Sequence, residues 1–266
     1  MIYIFLAVSF LAALASGLFA GWQGTELFRT LGVFFGVLVG LILLFVLLLA
    51  LVSLFVSRKE PEKRSPFVHF VTVWGIGLIT QVMLTFIKVE GAEKIPTDGR
   101  WLFVGNHRSS FDPLLTVWAL RKHELAFVAK PPVFKIPLIG PIIYRDFYLP
   151  IDREDNREAL KTILKAAEYI KTDKTSMGIY PEGRRSADAT LLPFRNGALK
   201  IAQRAKVPIV LGAIEGTERT FHRFPLSPVR AKLTILTVIP AEEVAAHSTA
   251  ELGDRCRELL LAKLGK

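Results

Sequence analysis

Two long apolar runs without a single charged side chain open the sequence. The first covers residues 1–21 and the second covers residues 31–56, and the only charged residues between them are Glu26 and Arg29. Because about 20 apolar residues of helix cross the hydrocarbon core of a bilayer, each run is long enough to span a membrane. We therefore predict that residues 1–57 form two transmembrane helices.

A cleaved signal peptide is the alternative interpretation of the first run, since Ala13-Leu14-Ala15 resembles a cleavage site. No basic segment precedes the run, however, and apolar sequence continues past the site, which is not typical of a signal peptide. The second run predicts a membrane anchor under either interpretation.

The rest of the chain is basic. Residues 58–266 carry the whole net charge of +10, with 33 Lys and Arg against 23 Asp and Glu. A basic body beside an apolar anchor suits an anionic membrane surface or anionic substrates, and the apolar N-terminus argues against nucleic acid as the partner. The single cysteine, Cys256, excludes an internal disulfide.

From residue 88 onward, short apolar runs alternate with helical patterns, which predicts an α/β domain over residues 88–266. Pro-rich residues 130–141 are expected to form a loop or short turns. The strands are expected at residues 101–104, 124–129, 147–151, 177–180, 207–214 and 231–239, and the helices at residues 112–120, 156–171, 196–205 and 249–264.

The most informative local feature follows the first of these strands, in the sequence GNHRSSFDP of residues 105–113. His107 and Asp112 lie where a strand passes into a helix, a common ligand-binding position in α/β sheets. A carboxylate on one imidazole nitrogen sets the tautomer and leaves the other nitrogen free to take a proton from a hydroxyl. On this segment alone, a second interpretation is equally good: Asp112 caps the helix and His107 is a turn residue.

Two other chemistries for this segment are less favoured. Ser109 and Ser110 are possible hydrolase nucleophiles, but neither lies in a Gly-x-Ser-x-Gly elbow. A zinc site is not expected, because no second His or Cys lies at ligand spacing from His107.

Basic residues follow two further predicted strands. Arg184 and Arg185 come after Tyr180-Pro181-Glu182-Gly183, and Arg153 follows Ile151-Asp152. Paired guanidinium groups beside a glycine turn suit bidentate phosphate binding. Together with Lys130 and Lys135, these arginines would line a positively charged mouth next to the membrane.

These segments together resemble the glycerolipid acyltransferase family, which includes 1-acyl-glycerol-3-phosphate acyltransferases. The blocks of that family occur here in family order, between residue 88 and about residue 239. The matching residues are Asn106, His107, Ser109 and Asp112 (N-H-x-S-x-x-D), Lys130 and residues 134–140 (FKIPLIG), residues 150–153 (PIDR), residues 180–186 (YPEGRRS, against F-P-E-G-T-R-S) and residues 207–210 (VPIV).

The resemblance implies a fold, an activity and a role for each site residue. The fold would be a mixed central sheet flanked by helices, and His107 would be the general base with Asp112 as its partner. Arg153 and Arg185 would hold the acceptor's phosphate, with Lys130 a weaker candidate for that task. The remaining implied site residues are Glu182, which would orient the site, Gly183, which would permit the turn, and Arg184.

The implied reaction is acyl transfer to a lysophospholipid, most specifically 1-acyl-glycerol-3-phosphate, with acyl-CoA or acyl carrier protein as co-substrate and without a metal or other cofactor. Tyr180 replaces the family's usual Phe, a mild departure. Arg184 replaces Thr and adds a charge where the phosphate is expected, which leaves open an acyltransferase or transacylase for another headgroup. A non-catalytic lipid-binding membrane protein is the alternative from a different class.

The membrane topology follows from the charges after the second apolar run. Arg58, Lys59, Lys63 and Arg64 lie directly behind it, so the positive-inside rule assigns residues 58–66 to a basic cytoplasmic linker. Residues 67–87 form a third apolar stretch, which we expect to be an interfacial or membrane-embedded helix. The interfacial position keeps the body with cytosolic acyl donors, at the inner membrane if the protein is bacterial.

Overall fold

A computed structural model describes residues 2–20, 26–57, 59–186, 190–220 and 227–265. The chain begins with helices α1 (Ile2–Ala20) and α2 (Glu26–Phe55), which pack against each other. Within the described residues, one helical stretch, Phe28–Phe55, is long and apolar enough to cross a membrane, whereas the apolar part of α1 is shorter, Tyr3–Leu18. Two transmembrane helices over residues 1–57 therefore remain a prediction.

The basic segment after α2 lies on the surface of the α/β body, and we call residues 59–65 the strap. Glu60 pairs with Lys165 at 2.5 Å, and the carbonyl oxygen of Lys63 accepts a hydrogen bond from Arg145 Nη1 at 2.8 Å. Arg64 is largely buried, with 8% of its side chain exposed, and pairs with Asp146 at 2.7 Å. Arg58 lies outside the described residues.

The third apolar stretch divides into two elements. Helix α3 (Pro66–Val82) begins at Ser65, whose side chain accepts from the Val68 backbone N–H, and packs against α4 and α5. Leu84 has a φ of 49° and turns the chain into strand β1 (Thr85–Glu90). No Gly or Pro marks this boundary in the sequence, which explains why apolar content alone did not reveal the strand.

Strands β1 to β7 of the described residues form one mixed sheet, as the resemblance implied. Their order is β1-β7-β6-β2-β5-β3-β4; β6 and β7 pair antiparallel, and every other neighbouring pair is parallel. The remaining strands are β2 (Leu102–Gly105), β3 (Leu125–Ala129), β4 (Leu149–Pro150), β5 (Ser176–Ile179), β6 (Ile209–Glu215) and β7 (Val229–Ile239).

The remaining helices cover the two faces of this sheet. They are α4 (Asp112–Ala119), α5 (Gly140–Arg145), α6 (Asn156–Lys171), α7 (Lys200–Ala205), α8 (Ala241–Ala246) and α9 (Thr249–Leu264). The β2-to-β3 and β3-to-β4 crossovers advance in one direction across the sheet, and the β4-to-β5 and β5-to-β6 crossovers return. Because such crossovers are right-handed, α4 and α5 cover one face, and α6 and α7 cover the other.

The N-terminal helices belong to the face covered by α4 and α5. Helix α3 packs against both of these helices, and α2 packs against α5. Val68, Val71 and Ile142 form a small buried cluster with apolar side chains of α2, and Ser53 Oγ donates to the carbonyl oxygen of Pro137 at 2.7 Å. We call this the anchor face and the opposite one the α6 face.

Most of the elements expected in the body are confirmed, but two differ in extent. The expected strand at residues 147–151 is reduced to Leu149–Pro150, because it pairs only along the edge of β3. The helix expected at residues 196–205 begins as a 3-10 turn, Asn196–Leu199, and continues as α7. The Pro-rich segment contains a 3-10 turn, Pro131–Lys135, before α5 begins.

Candidate active site

His107 and Asp112 lie in direct contact at the carboxyl end of β2. His107 Nδ1 is 2.9 Å from Asp112 Oδ2, and the same oxygen accepts from the backbone N–H groups of Arg108 at 2.6 Å and Ser109 at 2.7 Å. Since an ionised carboxylate only accepts hydrogen bonds, Nδ1 carries the proton. Asp112 therefore has two positions at once: it is the first residue of α4, and it is the partner of the imidazole. The cap position of α4 is taken by Phe111.

Only the His107 side chain of this pair is partly accessible to solvent. Asp112 has 0% of its side chain exposed and His107 has 11%. With Nδ1 held by the carboxylate, Nε2 is the nitrogen that is left for a substrate, and no hydrogen bond to it occurs within the described part of the chain.

Asn106 joins the site to the neighbouring strand. Its side-chain amide donates to the Ile214 carbonyl at 2.9 Å and accepts from the Ile214 N–H at 2.7 Å, so it continues the β2–β6 ladder by one residue. This register brings the hydroxyl of Thr217, which follows β6, against Asp112 Oδ1. The sequence analysis did not identify Thr217, since 105 residues separate it from Asp112.

Tyr180 forms a wall behind the imidazole. Its ring stacks on that of His107, with centroids 4.7 Å apart and an interplanar angle of 6°, and its hydroxyl is 3.0 Å from Thr116 Oγ1. Burial raises the pKa of Tyr180 well above its ordinary value, and the Asp112 carboxylate adds to this shift. The phenol therefore stays neutral and acts as an aromatic support.

Glu182 connects the two loops around the site. Its carboxylate accepts from the His107 backbone N–H at 2.6 Å through one oxygen and from the Leu192 N–H at 2.9 Å through the other. The side chain is buried, and this burial raises the pKa of Glu182. Glu182 therefore holds the main chain at His107 in place.

Gly183 lies between two arginines. Its φ of +71° is in the left-handed region, and a Cβ atom there would lie 3.2 Å from Arg195 Cδ. The carbonyl oxygen of Gly183 accepts from Arg153 Nη1, and Arg195 Nη1 donates to the carbonyl oxygen of Arg153 at 2.7 Å. Half-burial of Arg153 lowers the pKa of its guanidinium, and the charge of Arg195 adds to the effect.

A groove of about 670 Å³ brings together five of the eight predicted site residues: Lys130, Arg153, Glu182, Gly183 and Arg184. Arg195 is a further cation in its lining, which the sequence analysis missed because its segment matched none of the motifs considered. Arg185 is exposed and does not line this groove, and neither does Lys135. The groove carries four cationic side chains beside the loop of the His–Asp pair, and the carboxylates of Asp152, Glu154 and Glu182 also line it. We call it the cationic groove, because the cations outnumber the carboxylates by one.

Metal ligands do not cluster in this part of the molecule. Within the described ranges, no group of three or more His, Cys, Asp or Glu side chains is arranged to hold a metal ion. His107 and Asp112 instead bind each other, and Asp112 is surrounded by hydrogen-bond donors rather than by further ligands.

The mixed α/β sheet thus carries a histidine–carboxylate pair at a strand end, next to a groove that contains four cations. Comparison with known proteins shows that residues 86–214 match a family model described as Acyltransferase. This part of the chain is therefore similar to the acyltransferases that the model describes.

Several relatives are named 1-acyl-sn-glycerol-3-phosphate acyltransferase. The one from Limnanthes douglasii is 30% identical over 169 residues, which are 63% of this chain and 59% of that protein. The one from Escherichia coli K12 is 28% identical over 187 residues, 68% of this chain and 74% of that protein. The chain thus spans about three fifths of the length of the Limnanthes relatives that it matches.

The fold also resembles a solved structure. The crystal structure of the 1-acyl-sn-glycerophosphate acyltransferase PlsC from Thermotoga maritima superposes with a TM-score of 0.61 at 22% identity, covering 100% of this chain and 97% of that one. This likeness supports the fold described above, including the helices ahead of the sheet.

Proposed function

We propose that this protein is a membrane-bound O-acyltransferase. It transfers a fatty acyl group from acyl-CoA or acyl carrier protein to the free hydroxyl of a lysophospholipid, most specifically 1-acyl-glycerol-3-phosphate, which gives phosphatidic acid. The contact of 2.9 Å between His107 Nδ1 and Asp112 Oδ2 carries the proposal, because it directs the basic Nε2 atom outward.

The mechanism uses His107 as a general base. Nε2 takes the proton of the acceptor hydroxyl, and the hydroxyl oxygen attacks the carbonyl carbon of the thioester. The tetrahedral intermediate collapses by breaking the carbon–sulfur bond, and the departing thiolate takes the proton from the imidazolium. Asp112 stabilises the imidazolium between these two steps. No covalent acyl-enzyme and no metal are required.

The cationic groove would bind the phosphate of the acceptor. Arg153, Lys130 and Arg184 line it, and guanidinium groups bind phosphate oxygens in a bidentate manner. Arg185, next to Arg184 but exposed, is proposed as an outer phosphate contact. Relatives named for a 1-acyl-glycerol-3-phosphate substrate support a phosphate monoester as the acceptor headgroup.

The apolar N-terminal helices would anchor the protein in the membrane, with the catalytic domain facing the cytoplasm. Exposed Phe67 and Phe70 on α3 suit contact with the bilayer interface. The positive charge of Arg64 contributes less to the positive-inside rule than its sequence position suggests, because it is paired with the carboxylate of Asp146. The orientation therefore depends on Arg58, Lys59 and Lys63.

The proposal is tested with His107→Ala in detergent-purified protein. Acyl transfer should fall by at least about 100-fold, since general-base catalysis contributes about 10²–10⁴, while membrane association and the unfolding transition stay unchanged. His247→Ala is the matched control, because His247 is exposed at the end of α8 and its Nδ1 atom lies 3.0 Å from the backbone carbonyl oxygen of Glu243. Near-normal transfer by His107→Ala would refute the proposal.

The acceptor is tested with a panel of lysophosphatidic acid, lysophosphatidylethanolamine and lysophosphatidylglycerol. Arg184 is the observation that favours another headgroup, because it adds a positive charge to the groove. Arg184→Thr should then shift the preference among these acceptors. Transfer with a phospholipid as the only acyl source would indicate a transacylase. Release of free fatty acid without an acceptor would indicate a hydrolase, and lipid binding without turnover would indicate a non-catalytic protein.

A further inference from the structure

A second cavity, of about 550 Å³, lies beneath α6, next to the cationic groove. Its apolar walls come from the carboxyl ends of the strands and from the inner side of α6. These wall residues are Val128, Ile151, Ala159, Leu160, Ile163 and Ile179. The volume is in the range of sites that enclose a small organic ligand, about 300–1,000 Å³.

The polar side chains of this cavity are basic or neutral. Arg153, Arg195 and Lys200 contribute positive charge to the lining, and Asn156, Asn196 and Tyr180 are its neutral polar side chains. Among the described residues, no Asp or Glu lines it. Apolar walls together with three cations select a ligand that has an anionic group and a partly apolar body.

The cavity lies on the side of the sheet away from the apolar N-terminal helices. It is formed by α6 and by the segment leading into α7, on the α6 face of the sheet. The apolar helices α2 and α3 pack on the opposite, anchor face. This position suits a ligand that arrives from the aqueous side, whereas a lipid would arrive along the anchor face.

The cavity is joined to the catalytic pair and to the cationic groove. Tyr180 lines it and stacks on His107 at 4.7 Å. Arg153, Gly183 and Arg195 line both the cavity and the groove, so the hydrogen bonds between these residues form the partition. A reaction between two phosphate-bearing substrates needs two such sites that meet at one base.

We infer that the cavity beneath α6 binds the phosphorylated pantetheine arm of the thioester donor. This inference rests on the proposed function. The arm combines a phosphate with a thin, partly apolar chain ending in sulfur, and it is common to coenzyme A and to acyl carrier protein. Its phosphate would contact Lys200 and Arg195, and its chain would pass the apolar walls toward Tyr180.

Binding is measured by titration calorimetry on the full-length protein with coenzyme A, 4′-phosphopantetheine and holo-acyl carrier protein. Lys200→Ala removes an exposed cation of the mouth, and Ala159→Leu fills the cavity. Each should raise the Kd for coenzyme A and for 4′-phosphopantetheine by about tenfold, as expected for one lost charged hydrogen bond or a blocked site. Lys161→Ala, an exposed lysine on the same helix that does not line the cavity, should leave both values within about twofold.

Steady-state kinetics complete the test. The two cavity variants should raise the KM for the donor and leave the KM for the acceptor unchanged. Unchanged donor affinity in both variants, a raised acceptor KM instead, or binding of coenzyme A without binding of 4′-phosphopantetheine would each overturn the inference. Holo-acyl carrier protein binding more tightly than coenzyme A would identify the protein-bound arm as the donor, and the reverse would identify the free coenzyme.

Failure of the proposed function has a different signature. The wild-type protein could bind 4′-phosphopantetheine, with the expected loss of affinity in Lys200→Ala, and yet transfer no acyl group to any lysophospholipid. That result would refute the proposed acyltransferase function, while the inferred ligand of the cavity would still stand. Normal transfer with cavity variants that behave like the wild type would refute only the cavity's ligand.

Discussion

Thr217 donates its hydroxyl hydrogen to Asp112 Oδ1 and thereby saturates the carboxylate whose other oxygen holds His107. Both Thr217 and Asp112 are fully buried. Because a buried carboxylate oxygen without a donor is costly, Thr217 positions the His107–Asp112 pair.

Thr217→Val should therefore lower kcat by about tenfold, the effect of one lost hydrogen bond to a charged group, and leave both KM values unchanged. Thr217→Ser keeps the hydroxyl and should recover most of the activity. Steady-state kinetics of both variants check this expectation. Equal losses in Thr217→Val and Thr217→Ser would show that Thr217 acts through its methyl group and packing instead.

Two variants of Tyr180 separate the effect of its aromatic ring from the effect of its hydroxyl. Tyr180→Phe keeps the ring against His107 but removes the hydroxyl from Thr116, so it should preserve kcat while the free energy of unfolding falls by about 1 kcal/mol. Tyr180→Leu removes the aromatic face and should lower kcat severalfold. Chemical denaturation and kinetics on both variants give the comparison, and a large loss of kcat in Tyr180→Phe would contradict the role as an aromatic support.

The buried carboxyl group of Glu182 should make the free energy of unfolding depend on pH. Burial raises the pKa of Glu182 above its ordinary value of 4.5, so the folded protein keeps this proton to a higher pH than the unfolded chain does. The contribution of Glu182 to stability is then fully present below pH 4.5 and is lost as the pH rises through the folded-state pKa. The free energy of unfolding of the wild type, relative to Glu182→Gln, should fall across that interval.

Denaturant titrations of the two proteins between pH 4 and pH 8 measure this difference. A difference that rises with pH would contradict the direction of the shift. In activity, Glu182→Gln should lower kcat at every pH, because its amide NH₂ group faces one of the two backbone N–H donors that Glu182 accepts from.

The buried pair of Arg64 and Asp146 attaches the strap to the α/β body. Asp146→Ala leaves Arg64 buried without its partner and also removes the contact of Asp146 Oδ2 with His69, 3.1 Å away. The free energy of unfolding should fall by about 3–5 kcal/mol. Combining Arg64→Met with Asp146→Leu should restore much of it, because no charge is then left uncompensated. Glu90→Ala, which breaks an exposed pair with Lys232, is the control and should have little effect.

Thermal or chemical unfolding of the full-length protein in one detergent measures these changes in the free energy of unfolding. Equal destabilisation of the double variant and Asp146→Ala would show that packing, rather than the unpaired charge, accounts for the loss. Activity per folded molecule should change little, since neither residue lines the groove or the cavity.

Local patterns predicted the parts of the site that lie close together in the sequence. His107 and Asp112 are five residues apart, so a single strand-to-helix turn brings them together, and their residue types already indicate a proton-transfer pair. The helices at residues 156–171 and 249–264 were predicted with their observed bounds, because apolar periodicity determines which side of a helix is buried.

Long-range pairing decided the rest. Thr217 reaches Asp112 where Asn106 extends the ladder between β2 and β6, and hydrogen bonds to Pro181 and Arg153 hold Arg195 at the groove. The start of β1 depends on its register with β7, which has no local marker. Such contacts arise from the packing of distant segments, and single-sequence periodicity contains no information about them.

The sequence by itself determined the apolar N-terminal helices, the alternation of strands and helices, and the residue types of the His107–Asp112 turn, because each depends on residues within a few positions of one another. Only the tertiary structure decided which charges meet. Arg64, one of four cations behind the second apolar run, is buried against Asp146, while Lys130, Arg153, Arg184 and Arg195 share one groove. A count of charges gives their sum, but the effect of each charge depends on its distance from a partner and on its exposure to water.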